Sequence, residues 1–157
     1  MGTGQWLLLF HLLGAFLFVS GAAVAAVLQL AAMRRERPSE IAVLLGAIRG
    51  GVLLVAVGAV VVLVFGIWLA EHAAYGLGEG WVSLALGLFV LAVVLGGVAG
   101  RHDKETRRLA VRLAQDGDRP SPELHRRLRN PVPLALNYGS AALVLAILVV
   151  MVWKSSL

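Results

Sequence analysis

Three observations predict an all-α fold, a polytopic membrane protein built as an antiparallel bundle of four transmembrane helices. Hydrophobic residues fill 59% of the 157 positions and mean hydropathy is +0.85, which excludes a soluble globular domain. Thirteen of the fourteen Lys and Arg residues lie in two stretches, Arg34 to Arg49 and Arg101 to Arg129. The four tryptophans, Trp6, Trp68, Trp81 and Trp153, lie elsewhere, so each apolar segment has indole near one end and runs toward arginine at the other. Basic loops inside and an indole belt outside are the signature of a multi-pass protein. The pattern places the basic loops in the cytoplasm and the N-terminus and C-terminus outside.

A helix needs about 20 apolar residues to cross a hydrocarbon core roughly 30 Å thick. Four such spans are expected at about 6–33, 50–69, 81–100 and 132–153, forming one membrane domain over 1–157 with a cytoplasmic excursion at 101–130. Span one ends at Arg34-Arg35-Glu36-Arg37-Pro38, where Ser39 reads as an N-cap with Pro38 outside the helix. The small residues from Ser20 to Ala26 resemble a cleavage zone, but the first basic residue is Arg34, after the apolar run, so span one is read as retained. Glu40 to Arg49 reads as a cytoplasmic extension of the second helix, with Arg49 snorkelling to the interface. The glycine-rich link from Ala73 to Gly80 joins spans two and three as a short turn. Asn130-Pro131-Val132-Pro133 introduces span four and Lys154 closes it.

The excursion divides at Asp116-Gly117-Asp118-Arg119-Pro120. Before that turn, Leu109, Val111 and Leu113 interleave with Arg107, Arg108 and Arg112, which reads as a helix lying on the membrane with its arginines contacting anionic lipid. After it, Ser121-Pro122-Glu123 caps a short basic helix from Leu124 to Arg129. The formal charge of +5 does not read as nucleic-acid binding, because it flanks spans and no aromatic side chains interleave it in the long loop. Glycines four apart (Gly46 and Gly50, Gly96 and Gly100) or seven apart (Gly14 and Gly21) share helix faces and favour close packing, within the bundle or against a homo-oligomer or membrane-complex partner.

Cysteine is absent, which removes disulfides, thiolate metal sites and cysteine nucleophiles. No paired carboxylate, no Ser/His/Asp order and no phosphate-cradling glycine loop is present, so no catalytic residue is assigned. His11 is the one ionisable residue well inside an apolar stretch. A buried imidazole in lipid needs a hydrogen-bond partner or a metal, and two readings stay open: a packed histidine, or a ligand to haem b or copper. Antiparallel packing brings His72, Glu71 and Glu79 to the same outer side, which gives His11 and His72 as candidate cofactor-binding residues. Asn137, Tyr138 and Ser140 interrupt span four and are expected to bond across helices, while His102 and His125 read as solvated.

The opening Leu8-Leu9-Phe10-His11-Leu12-Leu13-Gly14-Ala15 resembles the start of a bacterial group of predicted integral membrane proteins, domain of unknown function 2269. The run Val64-Phe65-Gly66-Ile67-Trp68-Leu69, the pair Gly80-Trp81 and the close Val150-Met151-Val152-Trp153-Lys154 are similar to it too. The first helix also resembles those of HemJ-type protoporphyrinogen oxidases and CopD-type copper proteins, which implies a ligand role for His11. The HemJ pattern has a Lys and a His in its third helix, and Trp81 to Gly100 holds neither. His11, Gly14 and Gly21 match the CopD pattern, without its methionine-rich and further histidine sites. The expected role is a non-enzymatic membrane component or accessory subunit, the alternative a haem- or copper-handling protein using His11.

Overall fold

In the computed structural model, which describes residues 2–72 and 79–153, the chain forms five helices. They are α1 (Thr3–Met33), α2 (Pro38–His72), α3 (Gly80–Gln115), α4 (Pro122–Leu128) and α5 (Pro131–Val152). The described residues hold no strand. Among the described residues, four helical stretches are long and apolar enough to cross a membrane: α1, α2, α3, and Pro122–Val152, made of α4 and α5. The expected turn at Ala73 to Gly78 and the closing Lys154 lie outside the described residues.

The bundle is two antiparallel hairpins. α1 packs most extensively on α2, and α3 on α5, while α2 and α3 join the pairs along a lighter seam. The first hairpin is close because its facing positions lack side chains. A Cβ on Gly58 would fall 2.8 Å from the Gly14 carbonyl oxygen, and one on Gly21 would fall 2.6 Å from that of Gly51. These four glycines, two on each helix and seven apart, let the backbones touch. Sequence spacing identified the α1 pair. Of the others singled out by spacing, Gly96 faces α5, where a Cβ would lie 3.4 Å from Ser140 Oγ, whereas a Cβ at Gly50 or Gly100 would meet nothing within 4 Å and one at Gly46 only Arg107, at 3.8 Å.

The second hairpin is tied by polar side chains. Ser140 Oγ donates to the Ala92 carbonyl across 2.9 Å, and the Asn137 side chain bonds Asp103. Tyr138 is exposed on the outer surface instead of bonding across helices as expected. Apolar side chains such as Phe16, Leu53 and Leu145 face outward from the bundle, where lipid tails solvate them.

At 1.5 Å per residue, α2 and α3 run about 52–54 Å, well past a hydrocarbon core of roughly 30 Å. Their overhangs meet at the basic end and build a compact core of Ala32, Ile41, Leu45, Ile48, Ala110, Leu124 and Leu128. The short helix α4 closes this core with Leu124 and Leu128, both almost fully buried. Its start follows the expected pattern: Ser121 Oγ accepts the Leu124 N–H at 3.4 Å, and Pro122 occupies the first turn. Asn130 likewise caps α5, accepting the Val132 N–H at 3.0 Å.

The helix boundaries depart from the sequence expectation at two places. The segment from Arg101 to Gln115 is not a separate helix lying on the membrane but the continuation of α3. Leu109 and Leu113 pack against the basic-end core, so protein covers the face that the pattern had assigned to lipid. Likewise, α2 begins at Pro38, whose fixed φ suits the first helical turn and whose ring is buried. Ser39 is therefore inside the first turn, and a distant residue supplies the cap.

Candidate functional site

Two polar constellations are embedded in this frame. The first is His11, on the α1 face that meets α2. It is 9% exposed, lies against Gly66, and its Nδ1 stands 3.1 Å from the Val62 carbonyl oxygen. A carbonyl can only accept, so Nδ1 carries the proton and donates, which leaves the Nε2 lone pair free of that bond. The absence of a side chain at Gly66 makes room for the ring: a Cβ there would fall 3.0 Å from His11 Nδ1 and Cε1. Beside the histidine, Trp6, Phe10, Phe65 and Trp68 form a row of rings with centroids 6.3, 4.8 and 6.4 Å apart. Amphipathic indoles at both ends of the row suit an interfacial depth.

His72 does not join His11. Its ring packs on Gly4, where a Cβ would lie 3.2 Å from Cδ2. Gly4 precedes His11 by seven residues, about 10 Å along α1. Two imidazoles sharing one metal at about 2.0–2.1 Å each must bring their nitrogens within about 4 Å. The arrangement therefore does not gather His11 and His72 into a single donor set, whether for copper or for the two axial positions of a haem. Glu71 and Glu79 are exposed. Among the described residues, no three His, Cys, Asp or Glu side chains lie together so as to hold a metal ion.

The second constellation lies at the basic end and was not anticipated. A cavity of about 190 Å³ opens between α1, α3, α4 and α5, with Gln29, Asp103, Thr106 and Asn137 among its lining residues. Burial pushes the Asp103 carboxyl above the usual aspartate range, opposed by the hydrogen bond from Asn137 and the neighbouring His102. Gln29 Oε1 is buried without a hydrogen-bond partner. Sequence reading singled out neither Gln29, which lies within an apolar span, nor Asp103, which lies in the basic excursion. The one available signal was a glutamine four residues before the end of a long apolar helix.

Arg107, Arg108 and Arg112 line a shallow groove on the outer side of α3 with Val111. Arg108 and Arg112 are exposed, while Arg107 is half-buried with its Nε lacking a hydrogen-bond partner. Three guanidiniums along this groove concentrate positive charge and N–H donors.

Long apolar helices, outward-facing aliphatic side chains and charge confined to the ends define a polytopic α-helical integral membrane protein. The chain belongs to the family described as predicted integral membrane protein (DUF2269), whose model matches residues 5–155. No curated protein and no solved structure matches it.

Proposed function

We propose that this chain is a non-enzymatic component of a bacterial cytoplasmic membrane, an accessory subunit or housekeeping protein of the bilayer. Its basic end faces the cytoplasm and both termini lie outside. The confinement of thirteen of fourteen Lys and Arg residues to one end of the bundle carries the membrane placement and the orientation. At that end, Arg107, Arg108 and Arg112 hold the phosphates of anionic lipids, each worth about 1 kcal/mol near a charged surface. The chain has no cysteine, so single cysteines test the orientation directly. Glu79→Cys should react with a membrane-impermeant maleimide on intact cells, and Gly117→Cys should react only after the cells are opened. The opposite pattern rejects the orientation and with it the assignment of the arginines to the cytoplasmic leaflet.

A second reading, His11 as a ligand to haem or copper, has one observation in its favour. Donation from Nδ1 to a backbone carbonyl is how metal-binding histidines are commonly oriented, with Nε2 left for the metal. Among the described residues, no cluster of three ligating side chains includes it. Absorbance in the Soret region and metal analysis of purified protein test this reading, and a stoichiometric chromophore or copper that is lost in His11→Leu would establish it over the first.

A further inference from the structure

The basic-end cavity has a consistent internal chemistry. Its inner wall presents acceptors. Gln29 Oε1 is buried and unpartnered, and Asp103 is half-buried with its carboxyl already bonded by Asn137. Thr106 is 7% exposed, and its hydroxyl proton is spent on the His102 carbonyl at 3.0 Å, which leaves its oxygen lone pairs as acceptors. The base is apolar, with Leu128 and Pro133 both buried. The rim carries the positive charge, in exposed Arg127, held at 3.0 Å by Glu123. An unsatisfied buried oxygen beside a desolvated carboxylate is costly unless a donor fills the space. The space is ample, since a single water needs only about 10–15 Å³ by the same measure.

We propose that this cavity binds a primary ammonium group, with Gln29 Oε1, the Asp103 carboxylate and Thr106 Oγ1 as its acceptors. Three N–H donors match three acceptors, and the Asp103 carboxylate balances the charge, with the exposed Glu105 also in the lining. A quaternary ammonium has no N–H to offer and leaves Gln29 unsatisfied. Arg127 at the mouth suits a phosphate carried on the same molecule. Two sources share this chemistry: the headgroup of an ethanolamine phospholipid and free phosphoethanolamine. The site does not depend on which side of the membrane the basic end faces.

Native mass spectrometry of the purified full-length protein separates the possibilities. It would be titrated with ethanolamine and choline phospholipids of identical acyl chains, and separately with phosphoethanolamine and phosphocholine. Retention of the ethanolamine form at least five-fold over the choline form is the expected result. Preference in the lipid pair alone assigns the headgroup, and preference in the soluble pair assigns the free amine. In Asp103→Asn and Gln29→Leu the preference should fall to parity, with circular dichroism checking that helicity is kept. Gly97→Ala, at an open position, should leave it unchanged. Equal retention of both forms in both pairs by the unaltered protein overturns the proposal without reliance on any variant. Undiminished preference in both folded cavity variants overturns the assignment of the site.

Discussion

Asp118 caps a helix to which it does not belong. Its Oδ1 accepts the Ser39 N–H at 2.7 Å and its Oδ2 accepts the Ser39 hydroxyl at 2.6 Å, across 79 residues of sequence. The turn from α3 to α4 makes this possible by placing Gly117 and Asp118 at φ of +106° and +52°. Aspartate tolerates that conformation better than most residues, because its short side chain finds local partners. One carboxylate thereby satisfies a backbone donor in the first turn of α2, adds negative charge where the helix dipole favours it, and ties the two hairpins together.

The Ser39 bonds, with Arg37 nearby, hold the Asp118 carboxyl below its ordinary value of 3.8. A depressed carboxyl contributes stability that is fully present above the unfolded value and is lost as pH falls through the folded one. Asp118→Asn should therefore lower the melting temperature at neutral pH, and the difference from the native protein should close as pH drops below about 3.8. A pH-independent difference would assign the effect to shape instead of charge.

Asp103 should behave with the opposite sign. Its carboxyl is raised by burial, so the folded state favours the protonated form. Without ligand, stability falls as pH rises from the ordinary aspartate range through the folded value, and Asp103→Asn removes that fall. Melting curves of ligand-free protein across this range should be flatter in the variant, and identical slopes would mean that Asp103 is well solvated.

Substitution at the glycine seam should be asymmetric. Gly58→Ala drives a methyl into the α1 backbone near Gly14 and Phe18, where nothing flexible can yield. Overpacking of this kind costs about 1–3 kcal/mol. Gly87→Ala, with nothing within 4 Å of the added carbon, should be neutral or slightly stabilising. Unfolding titrations in detergent compare the two.

His11→Leu removes the bond to Val62 while keeping an apolar side chain of moderate size. Interhelical polar contacts in membranes average about 0.6 kcal/mol and reach about 1.7. A loss within that range, measured by unfolding in detergent, is expected of a packed histidine. A far larger loss, reversed by added haem or copper, would favour the ligand reading.

The sequence alone determined the membrane class, the four apolar segments and the segregation of arginine from tryptophan, because spanning a bilayer dictates length, hydropathy and terminal charge locally along the chain. The cap at Ser121 and the start of span four at Asn130 were legible for the same reason: each acts on the next few residues. Tertiary structure alone decided that Arg101 to Gln115 prolongs α3, since an amphipathic stripe of Leu109 and Leu113 suits a lipid surface and a protein groove equally well. It also decided which glycines touch, for a four- or seven-residue spacing defines a face but not what meets it. His11 was visible as a lone ionisable residue in an apolar run, whereas its partner, a backbone carbonyl, has no sequence signature. The basic-end cavity was hidden for a stronger reason. Gln29, Asp103, Thr106 and Asn137 come from three helices, and only the overhang of α3 beyond the apolar segments brings them together.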